Sequence, residues 1–278
     1  MIDGDYESAM ILPANKKFGI NYLIQPFLAP QLGIFSKKNI HPEKIKKFLN
    51  MLPSRFGWAQ LNFNKYNTGI PDNWEARSQK IYELDLISPA HKIYKRYAEN
   101  IKAGLKKAED EGFSVMKQLA PNDFISLWRK MYNSDHKKKE AEENKLRRLI
   151  SRGIQHKACE IYGVYSRFNN LIASSAFFNF NQKTTLLISV FDSKEAEELS
   201  LIFLIHQFIK ENAGQNLTLK FELPENTQLK SIPNKHFLID PINFEDIFRQ
   251  FGAQEFKYTV VEMKKTSMKV ILLKSFLK

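Results

Sequence analysis

The segment 184–212 reads as a strand running into a helix. "TTLLISVF" (184–191) is a continuous apolar, β-prone run. After Asp192, "KEAEELSLIFLIHQFIKEN" (194–212) has three glutamates at its start and then an apolar helical face. Around this corner the order of elements is regular. "FSVMKQL" (113–119) predicts a strand, 122–132 a helix with Asn122 as its cap, and 140–155 a second helix. Strands follow at 158–166, 170–180 and 184–191, separated by Asn-containing turn clusters suited to hairpins. Beyond the helix 194–212, the pattern predicts a strand at 216–223, a helix at 243–251, and strands at 256–263 and 269–276. The first hundred residues are β-prone. Segments 8–14 and 20–36 are apolar and broken by prolines, 57–64 and 78–87 alternate as half-buried strands do, and 41–52 is a short amphipathic helix opened by Pro42. A long helix, 90–112, closes at Gly112. The fold class expected is α/β with mixed sheets, in two parts, 1–111 and 112–278.

Composition narrows the function. The 43% hydrophobic content and 22 phenylalanines supply a core. No apolar run reaches the length of a membrane span, and the N-terminus lacks the basic region of a secretory signal. Cys159 is the sole cysteine, so no internal disulfide is expected, and the sequence fits a reducing compartment; a cytoplasmic protein is expected. The net charge of +12 favours anionic partners. It is concentrated in 37–47, with five Lys against one Glu, and in 137–157, with eight Lys/Arg against three Glu. Each run reads either as a solvated helix face or as an anion-binding surface. The six histidines have no metal-ligand spacing, so no metal is expected, and His206 on the apolar face of its helix reads as a core histidine.

From residue 113 the element order resembles the GNAT fold of N-acyltransferases. "IFRQFGAQEF" (247–256) is similar to the helix-to-strand corner near the GNAT C-terminus. "YAENIKAGLKKAEDEGFSV" (97–115) is similar to the segment that opens the second domain of the Fem-type family. Tyr97, Asn100, Lys106, Lys107, Ala108 and Gly112 match it, and Ala98, Lys102 and Ala103 depart from it. "LIQPFLAPQLGIFS" (23–36) is similar to an N-terminal segment of Fem-like bacterial proteins. The resemblance implies two GNAT-like domains, the first reduced, joined by the 90–112 helix. It implies acyl or aminoacyl transfer to an amine of an anionic acceptor, in the Fem case a cell-wall peptidoglycan precursor. No cofactor is expected to bind tightly; the donor would be an aminoacyl-tRNA or an acyl-CoA, with tRNA as a partner. Tyr97, Asn100, Lys102, Lys106, Arg147, Arg148 and Arg152 would bind substrate.

The same corner, 192–198, tests which donor fits. A GNAT acyl-CoA site has a basic, glycine-rich loop there, because glycines let the backbone N–H groups reach the pyrophosphate. "FDSKEAEELS" has no glycine and carries Asp192, Glu195, Glu197 and Glu198. Asp192 and Glu195 instead suit a capping box. The tyrosine acid of many GNAT enzymes matches Phe248, which cannot donate a proton. Tyr258 on the next strand is the nearest replacement and Glu222 a candidate base; each also reads as an ordinary strand residue, Tyr258 packed in the core and Glu222 solvated. A non-catalytic GNAT-fold binding module is the alternative.

Overall fold

The structure is a computed structural model that describes residues 2–3, 6–26, 28–131, 136–192, 194–221, 241–264 and 267–277. In chain order the elements begin with β1 (Ile2–Asp3), β2 (Ser8–Met10), β3 (Ala14–Lys17), β4 (Ile20–Ile24), β5 (Ile34–Ser36), α1 (Pro42–Asn50), β6 (Phe56–Asn62) and β7 (Trp74–Asp85). Next come α2 (Ala90–Lys95), α3 (Glu99–Asp110), β8 (Ser114–Lys117), α4 (Pro121–Met131), α5 (His136–Gln155), β9 (Cys159–Tyr165), β10 (Leu171–Phe180) and β11 (Lys183–Phe191). The last are α6 (Lys194–Asn212), β12 (Thr218–Phe221), α7 (Pro241–Gln250), β13 (Gln254–Met263) and α8 (Met268–Leu277). The described residues divide into two compact units, 1–81 with 256–278, and 82–255. Residues 82–111, grouped with the N-terminal part by the sequence reading, therefore pack in the second unit, and 256–278 return to the first.

In the first unit, strands run in the order β3-β4-β6-β13-β7, and β1-β2-β5 form a small antiparallel sheet. α1 buries Ile45, Phe48 and Leu49 with Met10, Leu23, Ile34, Leu61 and Phe63. The turn into β5 is held by Asn67: its Oδ1 accepts the Ile34 N–H at 2.8 Å and its Nδ2 donates to the Ile34 carbonyl at 3.1 Å. Gly33 makes this approach possible, with φ +89° and a position where a Cβ would fall 2.3 Å from that Oδ1. The segment 269–276, expected as a strand, is α8. Val270 and Leu273 pack on Tyr22 and Trp58, and that three-residue spacing is a helical one.

In the second unit the order is β7-β12-β11-β10-β9-β8, antiparallel except for the β11–β12 pair. Adjacent residues of β10 face opposite ways. Phe177 stacks on Phe208 of α6 at 4.2 Å, whereas Phe178 and Cys159 approach Gly153 of α5. α6 and α5 thus cover opposite faces. α3 lies over α6, with Gly104 against Ile202 and Leu199. The expected single helix 90–112 breaks between α2 and α3. Tyr97 turns inward there, and Ala98 N–H bonds the Gln250 carbonyl at 2.8 Å instead of continuing the helical ladder. Gly112 ends α3 as expected, at φ +73°, with Phe113 N–H on the Ala108 carbonyl. The acidic end of α3 is offset by Arg167, whose guanidinium donates to the carbonyls of Asp110 and Glu111.

Candidate active site

β11 and β12 are parallel and joined by α6, which starts where β11 ends. The carboxyl ends of such strands form the crevice in which ligands of open α/β sheets bind. β11 pairs with β10 as far as Phe191 opposite Ala173. Its described ladder with β12 runs only from Lys183–Thr218 to Leu186–Phe221. The next residue, Leu187, is extra: Phe177 faces Leu186 and Ala176 faces Ile188. A bulge at that place sharpens the local twist of β11.

A side-chain row crosses the sheet at this level. Phe177, Leu186, Phe221 and Tyr82 are successive cross-strand partners on β10, β11, β12 and β7, and so share one face. α7 covers the end of the row: Phe248 stacks on Phe221 with centroids 4.3 Å apart and lies 6.1 Å from the Tyr82 ring. The Tyr82 hydroxyl reaches Glu245 Oε2 at 2.8 Å and Glu255 Oε2 at 3.1 Å, and accepts from Arg249 at 3.3 Å. One phenolic proton serves one carboxylate at a time. Burial, first of all, and the two carboxylates push the phenol up to about 12, against the opposing Arg249 bond, so it is neutral near pH 7. Tyr82, Glu245, Arg249 and Glu255 were not recognised from the sequence; the signal available was the Glu245–Arg249 spacing of one helical turn, which is also an ordinary ion pair.

At the β11 end, the Asp192 carboxylate accepts from Lys130 Nζ of α4 at 2.9 Å, so α4 supplies part of the charge balance for the acidic corner. The Glu195 half of the expected capping box falls on side chains outside the described ones. Glu222 also lies outside the described residues.

The other expected site residues do not converge. Tyr97 is 3% exposed, enclosed by Phe251, His206 and Tyr94, and its hydroxyl lies 3.4 Å from His206 Nδ1; it is a core residue and not a surface contact. Tyr258 is buried in the first unit with Ile81 and Val260, the packed-strand alternative. Asn100 and Lys106 are exposed on α3, and Lys102 pairs with Glu99 at 2.8 Å. Arg147, Arg148 and Arg152 are on α5, over the opposite face of the sheet from the α6–α3 layer. Arg147 is held by Asn122 and Glu143, and Arg148 Nε by the Asn144 carbonyl, while Arg152 is exposed. Arg129 also binds Glu143 through two 2.6 Å bonds, which hold that carboxyl below its usual range. The lysines of α3 and the arginines of α5 therefore do not form one anion surface. Among the described residues no His/Cys/Asp/Glu group could hold a metal ion.

Known structures share this architecture. L-PGS from Bacillus licheniformis is 10% identical and aligns over 99% of this chain and 87% of its own, at a TM-score of 0.58. The C-terminal domain of a putative lysylphosphatidylglycerol synthetase from Agrobacterium fabrum is 9% identical over 100% of this chain and 87% of its own, at 0.53. The chain shares the mixed α/β, GNAT-like fold of these proteins. FemX also aligns, 6% identical over 90% of this chain and 84% of its own, at 0.49. No protein-family model and no curated protein matches the sequence. The helix-to-strand corner 247–256, on which the GNAT resemblance partly rested, forms as expected: α7 ends at Gln250, Gly252 takes φ +86°, and β13 starts at Gln254. No helix among the described residues is long and apolar enough to cross a membrane.

Proposed function

We propose that the chain is an aminoacyl- or acyl-transferase, with the activated donor at the carboxyl ends of β11 and β12. The observation that carries this reading is the bulge at Leu187, in the strand that runs into α6. A donor carbonyl there could accept hydrogen bonds from strand backbone. The acceptor is an amine on an anionic molecule, in keeping with the net charge of +12. One neighbour is named as a putative lysylphosphatidylglycerol synthetase, and the corner 192–198 lacks the glycines of a pyrophosphate loop. The missing glycines count against acyl-CoA and so favour the charged tRNA that the Fem resemblance implies. Tyr82 is the hydroxyl beside Phe248, and donor binding would have to draw its proton from the Glu245 and Glu255 carboxylates to the leaving oxygen.

The test is a screen of aminoacyl-tRNA, acyl-CoA and nucleotide-sugar precursors, read by calorimetry and by transfer of a labelled acyl group to an added amine. Transfer from aminoacyl-tRNA, with weak acetyl-CoA binding, is the expected result. Low-micromolar acetyl-CoA binding to the amides of 193–198 would overturn the choice of donor. A non-catalytic binding module is the second reading, favoured by the burial of Phe248 at 2% exposure where the fold's acid would stand. Tight binding of a screened ligand without turnover of any donor would establish it.

A further inference from the structure

Lys16, Asn21 and Phe56 form one row across the edge of the first unit's larger sheet. Lys16 of β3 is the partner of Asn21 of β4, and Asn21 is the partner of Phe56 of β6. Cross-strand partners project to one side, so all three side chains share the face on which α1 packs. There Phe56 is buried with Ile45, Phe48 and Leu49 of α1. The core under α1 does not extend to the end of the row. β3 is the edge strand, and none of its residues joins that core. Ala14, two residues before Lys16 and so on the same face, is small and exposed. The uncovered place is an open groove of about 250 Å³, lined by Ala14, Asn15, Lys16, Asn21, Arg55 and Phe56.

The groove gathers positive charge that the protein leaves unneutralised. Arg55 joins it from just before β6, with its guanidinium carbon 5.2 Å from the Phe56 ring centroid. Other cations of this unit are matched: Glu7 holds Lys38 at 3.2 Å and Lys44 at 3.0 Å, and Glu262 holds Lys274. Among the described residues neither Lys16 nor Arg55 has a carboxylate partner, and the Asn21 side-chain amide has no hydrogen-bond partner. The Asn15 amide, by contrast, is spent on the Pro13 carbonyl at 3.1 Å. An ammonium, a guanidinium fork and an amide N–H group thus line one concave space, with no carboxylate among the lining residues. A phosphoryl group has oxygens for all three, and a planar Arg fork with a Lys point charge is the pairing such a group favours.

We propose that this groove binds a small phosphate ester. The Arg55 fork and the Lys16 ammonium hold the phosphoryl oxygens, and Asn21, the middle residue of the row, donates between them. The organic part of the ester leaves through the open side. A nucleic acid fits less well as occupant. It needs cations along a track, and the nearest basic run in the sequence, 37–47, is partly neutralised by Glu7 through Lys38 and Lys44. The inference stands independently of the transferase reading.

The experiment is calorimetry of the full chain with inorganic phosphate, pyrophosphate and glycerol phosphate, and with acetate as the carboxylate control. Binding of the phosphate compounds to one site, without binding of acetate, is expected. Lys16→Gln and Arg55→Gln should each weaken it by about tenfold or more, and Asn21→Ala by about threefold. Arg55→Lys should restore only part of the loss, because it keeps the charge and removes the fork. Lys37→Gln removes an exposed lysine that does not line the groove, and should leave the affinity within about twofold. A second measurement needs no variant: pyrophosphate should protect Lys16 of the wild type from acetylation, read by mass spectrometry. Four results would overturn the proposal. They are no binding of any phosphate compound, wild-type affinity in Lys16→Gln with Arg55→Gln, an equal loss in Lys37→Gln, and Lys16 acetylated as fast with pyrophosphate as without it. The third would mean that the anion is held by net charge and not by the groove.

Discussion

His206 should make the stability of the second unit fall as the solution is acidified through a range in which ordinary carboxylates stay charged. Its ring on α6 is edge-on to Tyr97, with centroids 5.8 Å apart, and to Tyr94 at the same separation. Burial, and secondarily the Lys210 charge one turn along, push the imidazole down from 6.5 to about 4. Tyr97 is pushed up by burial and stays protonated, so its hydroxyl donates to Nδ1 when the neutral ring carries its proton on Nε2, and accepts from Nδ1 in the other tautomer. Folding thus favours the neutral ring. The corresponding stability is complete above 6.5 and is lost as pH falls toward 4. Integrating proton uptake over that shift gives a loss of about 2 kcal/mol between about pH 7.5 and about pH 5. Urea unfolding at those two values, for the wild type and for His206→Gln, isolates the effect, because the remaining groups titrate in both proteins. The wild type should lose about 2 kcal/mol more than the variant. Tyr97→Phe should keep the wild-type slope, since burial and not the hydroxyl is the main cause. Equal pH dependence in wild type and His206→Gln would refute the reasoning and would mean that the ring is hydrated in the folded protein.

Three further outcomes are expected. Tyr82→Phe keeps the ring against Phe248 and should cost about 1 kcal/mol of stability in a urea melt. In a transfer assay the same variant should be about 100-fold slower, and unchanged turnover would remove Tyr82 from the chemistry. Gly153→Ala should destabilise by about 1–3 kcal/mol, because the new Cβ would lie 2.5 Å from Cys159 Cβ and 2.9 Å from Phe178 Cε1; an unchanged thermal midpoint would show that α5 can shift away. Arg148→Glu with Arg152→Glu should abolish tRNA binding and its steep loss between about 50 and 200 mM salt; unchanged binding in a filter assay would return this side of α5 to a solvated surface.

Local patterns determine local structure, and much of the second unit was legible for that reason. The strand-to-helix corner at 191–194, the hairpins of β9, β10 and β11, the glycine cap of α3 and the corner after α7 each rest on interactions within a few residues. β3 was less legible, because "ANKK" has no apolar alternation and is fixed by pairing with β4. The site was less legible still. Tyr82, Glu245, Arg249 and Glu255 come from β7, α7 and β13, and only strand pairing across β12 and the stacking of Phe248 on Phe221 bring the four together. Tyr97 matched a family motif by position, yet packing on His206 and Phe251 turned it inward. "KVILLKSF" shows the limit most plainly, since its apolar residues satisfy a strand or a helix equally well. A sequence pattern reports that a face is to be buried; it does not report against what. Tyr22 and Trp58, roughly two hundred residues away along the chain, meet Val270 and Leu273 on one side, and that contact made the segment a helix and left Ile271 and Leu272 facing outward.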